Sequence, residues 1–177
     1  TMIHHQHYLP VLDDQQRLLP AFIAVTNIEV EQPQKIAINA ERVLTARLRD
    51  ARFFWDADRR APLEAKLGRL DTLLFHKALG SYAAKAQRLD RLARWIVTEA
   101  FGGTSAQAED AGMAGRLAKA DLTTDMVREF TELQGVMGGI YAREDGLGEG
   151  VWKAIYYQYQ PVGVDGPIRD GPDAPDL

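Results

Sequence analysis

The side chains best placed to do chemistry are basic. Arg42, Arg47, Arg49, Arg52, Arg59 and Arg60 fall within 19 residues. Lys85, Arg88, Arg91 and Arg94 then recur every three residues. At such a spacing the cations wind gradually around one side of a helix. Arg and Lys on rigid helices can follow a phosphate backbone, which gives affinity without reading sequence. The competing use is structural: Arg47 with Asp50, and Asp56 with Arg59 or Arg60, are near enough in sequence to pair as helical neighbours. The candidate polyanion-binding set is therefore Arg42, Arg47, Arg52, Arg59, Arg60, Lys85, Arg88 and Arg91.

Other chemistries have less to build on. The chain has no cysteine, so disulfides, thiolate nucleophiles and Cys-based zinc sites are excluded. His4, His5 and His7 lie close together. His5 and His7 would share a strand face and could chelate a metal weakly, but a structural role is the expected one. Gly135, Gly138 and Gly139 match neither a phosphate loop nor a dinucleotide fingerprint. They read as close helix packing or a bend. No Gly-x-Ser-x-Gly elbow is present.

The charge is unevenly spread. Residues 40–94 carry 13 basic and 7 acidic side chains, whereas residues 95–177 carry 6 and 14. A basic middle inside a chain of net charge −4 suits a local polyanion footprint. With 177 residues, 46% of them hydrophobic, the chain can bury a real core. No apolar run is long enough to span a bilayer. No basic-then-apolar export signal opens the sequence, which favours the cytoplasm.

Local patterns place these residues. Residues 7–12 and 18–28 are rich in β-branched and aromatic side chains around the polar stretch 13–17, and predict a β-hairpin. A lone hairpin is marginal in water, so it is expected to be the remnant of a larger sheet. Pro10 and Pro20 should face an edge. From about Gln34 the apolar spacing turns helical as far as Phe54 or Trp55, and Pro62 suits the start of another helix whose Leu stripe runs to Phe75. Residues 82–101 form the clearest amphipathic helix, with Leu89, Leu92, Ala93 and Ile96 inward. Gly102-Gly103 ends it, and Thr104 or Ser105 can cap a helix over about 105–119. A further helix or two lie within 121–141, and a short aromatic one over about 150–159. The expected class is α+β, mostly α: a hairpin over 1–32, a helical domain of about five to seven helices over 33–160, and an exposed or disordered tail over 161–177.

Four ordered blocks carry a resemblance. They are HQHYLPV at 5–11 with LPAFIAVTNI at 19–28; ERVLTARLRDARFF at 41–54; Pro62-Leu63-Glu64 with FHKALGS at 75–81; and KADLTTDMV at 119–127 with EFTELQGVMG at 129–138. Tyr141-Ala142 and Asp145-Gly146 complete the last. Together they resemble the β-subunit family of bacterial two-subunit glycyl-tRNA synthetases. The resemblance implies an internal segment of a ligase whose α subunit holds the ATP and glycine site, while the β subunit grips glycine tRNA. The basic set above would then be tRNA-contacting. This segment would bind no cofactor and hold no catalytic residue, with ATP and Mg²⁺ serving the complete hetero-oligomeric enzyme. The helical part would be similar to the HD phosphohydrolase fold. The His-Asp pair of that fold falls at Ala120-Asp121, where it is broken, so no metal is expected and Asp121 reads as a cap for a helix starting at Leu122. Two alternatives remain open: a metal-dependent phosphohydrolase, and a purely structural subunit-interface module.

Overall fold

The computed structural model describes Ile3, residues 6–27 and residues 31–160. His4, His5 and the tail over 161–177 lie outside the described residues. The chain divides into two compact units, one ending at Asp56 and the other beginning at Ala57.

The first unit opens with an antiparallel hairpin, β1 (Tyr8–Leu12) and β2 (Leu18–Ala24). Tyr8 pairs with Ala24 and Leu12 with Leu18, and the rings of Tyr8 and Phe22 stack at 4.9 Å. Between the pairs Pro10–Phe22 and Leu12–Leu18, β1 advances two residues and β2 four. The surplus on β2 is a bulge, and Pro20 sits inside it, where a missing N–H costs no ladder bond. The connecting turn is fixed by Asp13, whose Oδ1 accepts the N–H groups of Gln15 and Arg17, each at 2.9 Å. Helix α1 (Pro33–Asp58) follows, with proline at its first position.

The second unit is helical apart from one short ladder. Leu63–Thr72 is a 3₁₀ segment that buries Leu63 and Leu70. The expected apolar stripe then gives way to β3 (Leu74–His76), which pairs with β4 (Gly80–Ser81). Leu74 belongs to this ladder and is 66% exposed. Helix α2 (Tyr82–Trp95) starts at Ser81, whose side chain accepts the N–H of Ala84, and ends in a π turn over Ile96–Ala100. Its buried stripe runs through Ala86, with Leu89 and Ala93 half-buried on the same side. Leu92, expected inward, lies off that stripe and is 52% exposed. Helix α3 (Ser105–Leu117) begins with a full capping box between Thr104 and Gln107.

Beyond α3 come a 3₁₀ turn (Ala120–Thr123), α4 (Asp125–Glu129), a second 3₁₀ turn (Thr131–Leu133), α5 (Val136–Glu144) and α6 (Glu149–Tyr156). Phe130, Leu63, Leu70, Leu117, Ile155 and Val151 are all under 2% exposed and form the centre of the core. Each such side chain contributes on the order of 2 kcal/mol of burial. Gly139 lets α5 approach α6: a Cβ there would sit 2.5 Å from the Cβ of Tyr156 and 2.9 Å from the carbonyl of Trp152. Gly135 precedes α5 at φ +82°, with the Tyr159 ring against it. The two glycines serve packing and a bend, as their sequence context suggests. The fold is α+β and mostly helical, as expected.

Candidate nucleic-acid interface

The basic residues of the sequence do not form one cluster. Arg42, Arg47 and Arg52 project from α1 in the first unit, whereas Arg59, Arg60, Lys85, Arg88 and Arg91 belong to the second. Their engagement also differs. On α1, Arg52 holds Asp56 through an i,i+4 pair at 3.0 Å. The partner of Asp56 is thus Arg52 on the helix, because α1 ends at Asp58 and Arg59 is turned toward Glu144, 2.6 Å away. Both pairs are partly exposed and add little stability. Arg47 is half-buried.

Lys85 and Arg88 have structural work. The Lys85 ammonium lies 3.7 Å above the Phe75 ring, and Arg88 donates to the carbonyl of Leu79 at 3.0 Å. Both tie α2 to the β3–β4 ladder. Arg94 is clamped between Asp90 and Glu109, each at 2.5 Å, and these hydrogen bonds raise its pKa, Glu109 contributing most. Arg42, Arg60 and Arg91 are exposed, and among the described residues their side chains make no ion pair or hydrogen bond.

Ala120 and Asp121 are both buried. Asp121 is a cap, but not of the helix expected. Its Oδ2 accepts the N–H of Gly135 at 2.6 Å and of Gly138 at 3.1 Å, so it closes the N-terminus of α5. The chain directly after Leu122 is capped by others. Thr124 accepts from Val127, and Asp58, 5% exposed, accepts the N–H groups of Asp125 and Met126 at 3.0 and 2.9 Å. Asp58 Oδ2, which takes the Met126 N–H, also accepts the Tyr141 hydroxyl at 3.0 Å. Sequence gave no signal for Asp58, since its partners lie 67 to 83 residues away.

Burial pushes the Asp121 carboxyl up, while the Gly135 and Gly138 N–H groups and then the Lys119 ammonium oppose it. Lys119 itself is brought down to about 8 by burial and by Lys85, with Asp121 opposing. Its ammonium donates to Gln158 Oε1 and to the Tyr159 hydroxyl, and Tyr159 passes on a hydrogen bond to Gln134. This network fastens residues 158–159 beside the start of α5. Among the described residues no three His, Asp or Glu side chains gather as a metal ion would require. His7 is exposed.

Comparison with known proteins decides the family. A family model described as glycyl-tRNA synthetase beta subunit matches residues 1–172. The chain belongs to the glycyl-tRNA synthetase β-subunit family. It is 48% identical over 161 residues to the glycine–tRNA ligase beta subunit of Erwinia tasmaniensis, 48% over 162 residues to that of Shewanella denitrificans, and 47% over 161 residues to that of Neisseria gonorrhoeae. Each match covers 91% of this chain and 23% of the relative. The chain therefore spans about a quarter of the length of the curated relatives it matches.

Proposed function

We propose that this chain is part of the β subunit of a two-subunit glycine–tRNA ligase, contributing contact with glycine tRNA and subunit architecture. ATP, Mg²⁺ and glycine are handled on the α subunit of the hetero-oligomer, in the cytoplasm, and this chain supplies no catalytic group. The observation that carries the tRNA contact is that several exposed arginines, Arg42, Arg60 and Arg91 among them, have no intramolecular use among the described residues. Arginines that are already paired contribute less to a phosphate contact, because breaking the pair offsets part of the gain. The segment grips the RNA backbone and leaves sequence reading to other parts of the enzyme. The reading is tested by binding of the 177-residue chain to glycine tRNA at low and moderate salt, where affinity should fall steeply as salt rises.

A second reading, a subunit-interface module, has its own support. On the hairpin Leu18, Ile23 and Val25 are 65%, 54% and 70% exposed, and Leu9 is 47% exposed. Apolar exposure of that density on two strands marks a surface meant to be covered by protein. In that role the isolated chain binds RNA weakly at every salt concentration. The hydrolase reading has no comparable support, since Asp121 spends its carboxylate on two backbone N–H groups.

A further inference from the structure

We propose that one exposed face of α1, carrying Lys35, Arg42 and Arg49, is the rail on which the tRNA phosphate backbone lies. The inference rests on the tRNA-contacting reading and narrows it to one face and one mode of contact. The three cations are spaced by seven residues. A heptad step on a straight helix drifts by only about 20°, so they form one line. With a rise of 1.5 Å per residue, successive charges stand about 10.5 Å apart and the line is about 21 Å long. All three are exposed, and none uses its side chain in an ion pair or hydrogen bond among the described residues.

The surface between Arg42 and Arg49 is low. A shallow groove of about 380 Å³ is lined by Ile38, Glu41, Arg42, Thr45, Ala46 and Arg49. Thr45 and Ala46 are short side chains between Arg42 and Arg49, so a strand laid there can come close to the helix while meeting both charges. Of the acidic neighbours, Asp50 falls about 80° around the helix from Arg42, whereas Glu41 lies on the rim of the groove, where the two arginines outnumber it. The line ends where Arg52 is taken by Asp56. A row of cations with a small-residue floor and no aromatic in the groove fits a sugar-phosphate backbone better than splayed bases, which would need stacking surfaces. Lys35 and Arg49 therefore join Arg42, whereas Lys85 and Arg88 drop out of the footprint.

The test compares the unsubstituted 177-residue chain, the Lys35→Ala/Arg42→Ala/Arg49→Ala variant and the Arg52→Ala variant. Each is titrated with glycine tRNA and, separately, with polyglutamate, over several salt concentrations. Alanine is the best helix former, so α1 persists, and circular dichroism checks it. The triple variant should bind tRNA roughly 10- to 100-fold more weakly at low salt. Its log Kd against log salt slope should drop by about 2 to 3, one lost phosphate contact per residue. Arg52→Ala should change affinity less than about twofold, as expected for a side chain already paired at the surface. A triple variant with unchanged slope and affinity overturns the rail while leaving the tRNA-contacting reading intact. No salt-sensitive binding by the unsubstituted chain overturns both. Polyglutamate binding as tight as tRNA, with the same loss in the variant, assigns the face to an acidic protein segment instead.

Discussion

Removing the Asp121 carboxylate separates a cap from a relic of metal chemistry. In Asp121→Ala the N–H groups of Gly135 and Gly138, both buried, lose their shared acceptor. An unsatisfied buried donor costs about 1–3 kcal/mol, so two cost on the order of 2–5 kcal/mol. Relief from burying the carboxyl offsets part of this, which leaves about 3 kcal/mol. Asp121→Asn keeps an oxygen where Oδ2 stands, and that oxygen alone accepts both bonds. Its cost should stay within about 1 kcal/mol, the difference between a charged and a neutral acceptor. With a urea m-value of about 2 kcal/mol/M, the alanine variant should unfold about 1.5 M earlier and the asparagine variant within about 0.5 M of the parent. Hydrogen exchange at the Gly135 and Gly138 amides reports the same event locally and should speed up only in the alanine variant. Equal damage from both substitutions, or none from alanine, would refute the capping account.

Further outcomes follow from packing and charge. Gly139→Ala should destabilise by about 3 kcal/mol, because the new Cβ meets the backbone and Cβ of Tyr156 at under 3 Å. Gly150→Ala, with nothing within 4 Å, should stabilise α6 by roughly 0.5–1 kcal/mol, both read by denaturant unfolding. The Lys119 amine sits at about 8 in the folded chain against an ordinary 10.5. Between those values the unfolded chain holds the proton and the folded chain has released it, so stability should rise with pH from about 8 to about 10. The half-exposed position keeps the slope under about 1 kcal/mol per pH unit. Above about 10 the trend should reverse, as Tyr156 and Tyr159, both raised by burial and Tyr159 to about 12, keep protons that the unfolded phenols lose. In Lys119→Met the rise between 8 and 10 should vanish while the reversal stays.

Sequence carried most of what depends on near neighbours. The hairpin was legible from β-branched runs around Asp13–Arg17, the long helix from its apolar spacing after Gln34, and the start of α3 from Thr104 or Ser105 as its cap. The β3–β4 ladder was not, because strands of three and two residues carry no period of their own and Leu73-Leu74-Phe75 continue a helical stripe by eye. The failure at Leu92 is one of stripe width: Ala86, Leu89 and Ala93 suffice to seat α2, and the next apolar position falls outside them. The basic residues were visible as a set, but their division into used and unused was not. That depends on partners such as Phe75, Leu79 and Glu144, which only the fold brings within reach. Asp121 was read as a cap because the His-Asp pair is broken there and no metal role is left for it, yet its true target lies 14 to 17 residues downstream. The family resemblance was readable throughout, since its blocks are runs of consecutive residues.

The central claim is that this chain holds tRNA through its exposed cations. It is tested most directly by titrating the 177-residue chain with glycine tRNA and a non-cognate tRNA at 50 and 200 mM salt. The account predicts measurable binding to both at the lower salt, weakened by at least about tenfold at the higher, with little preference between the two. Absence of binding at low salt, or binding indifferent to salt, would contradict it and leave the exposed hairpin's interface role as the function of this part of the β subunit.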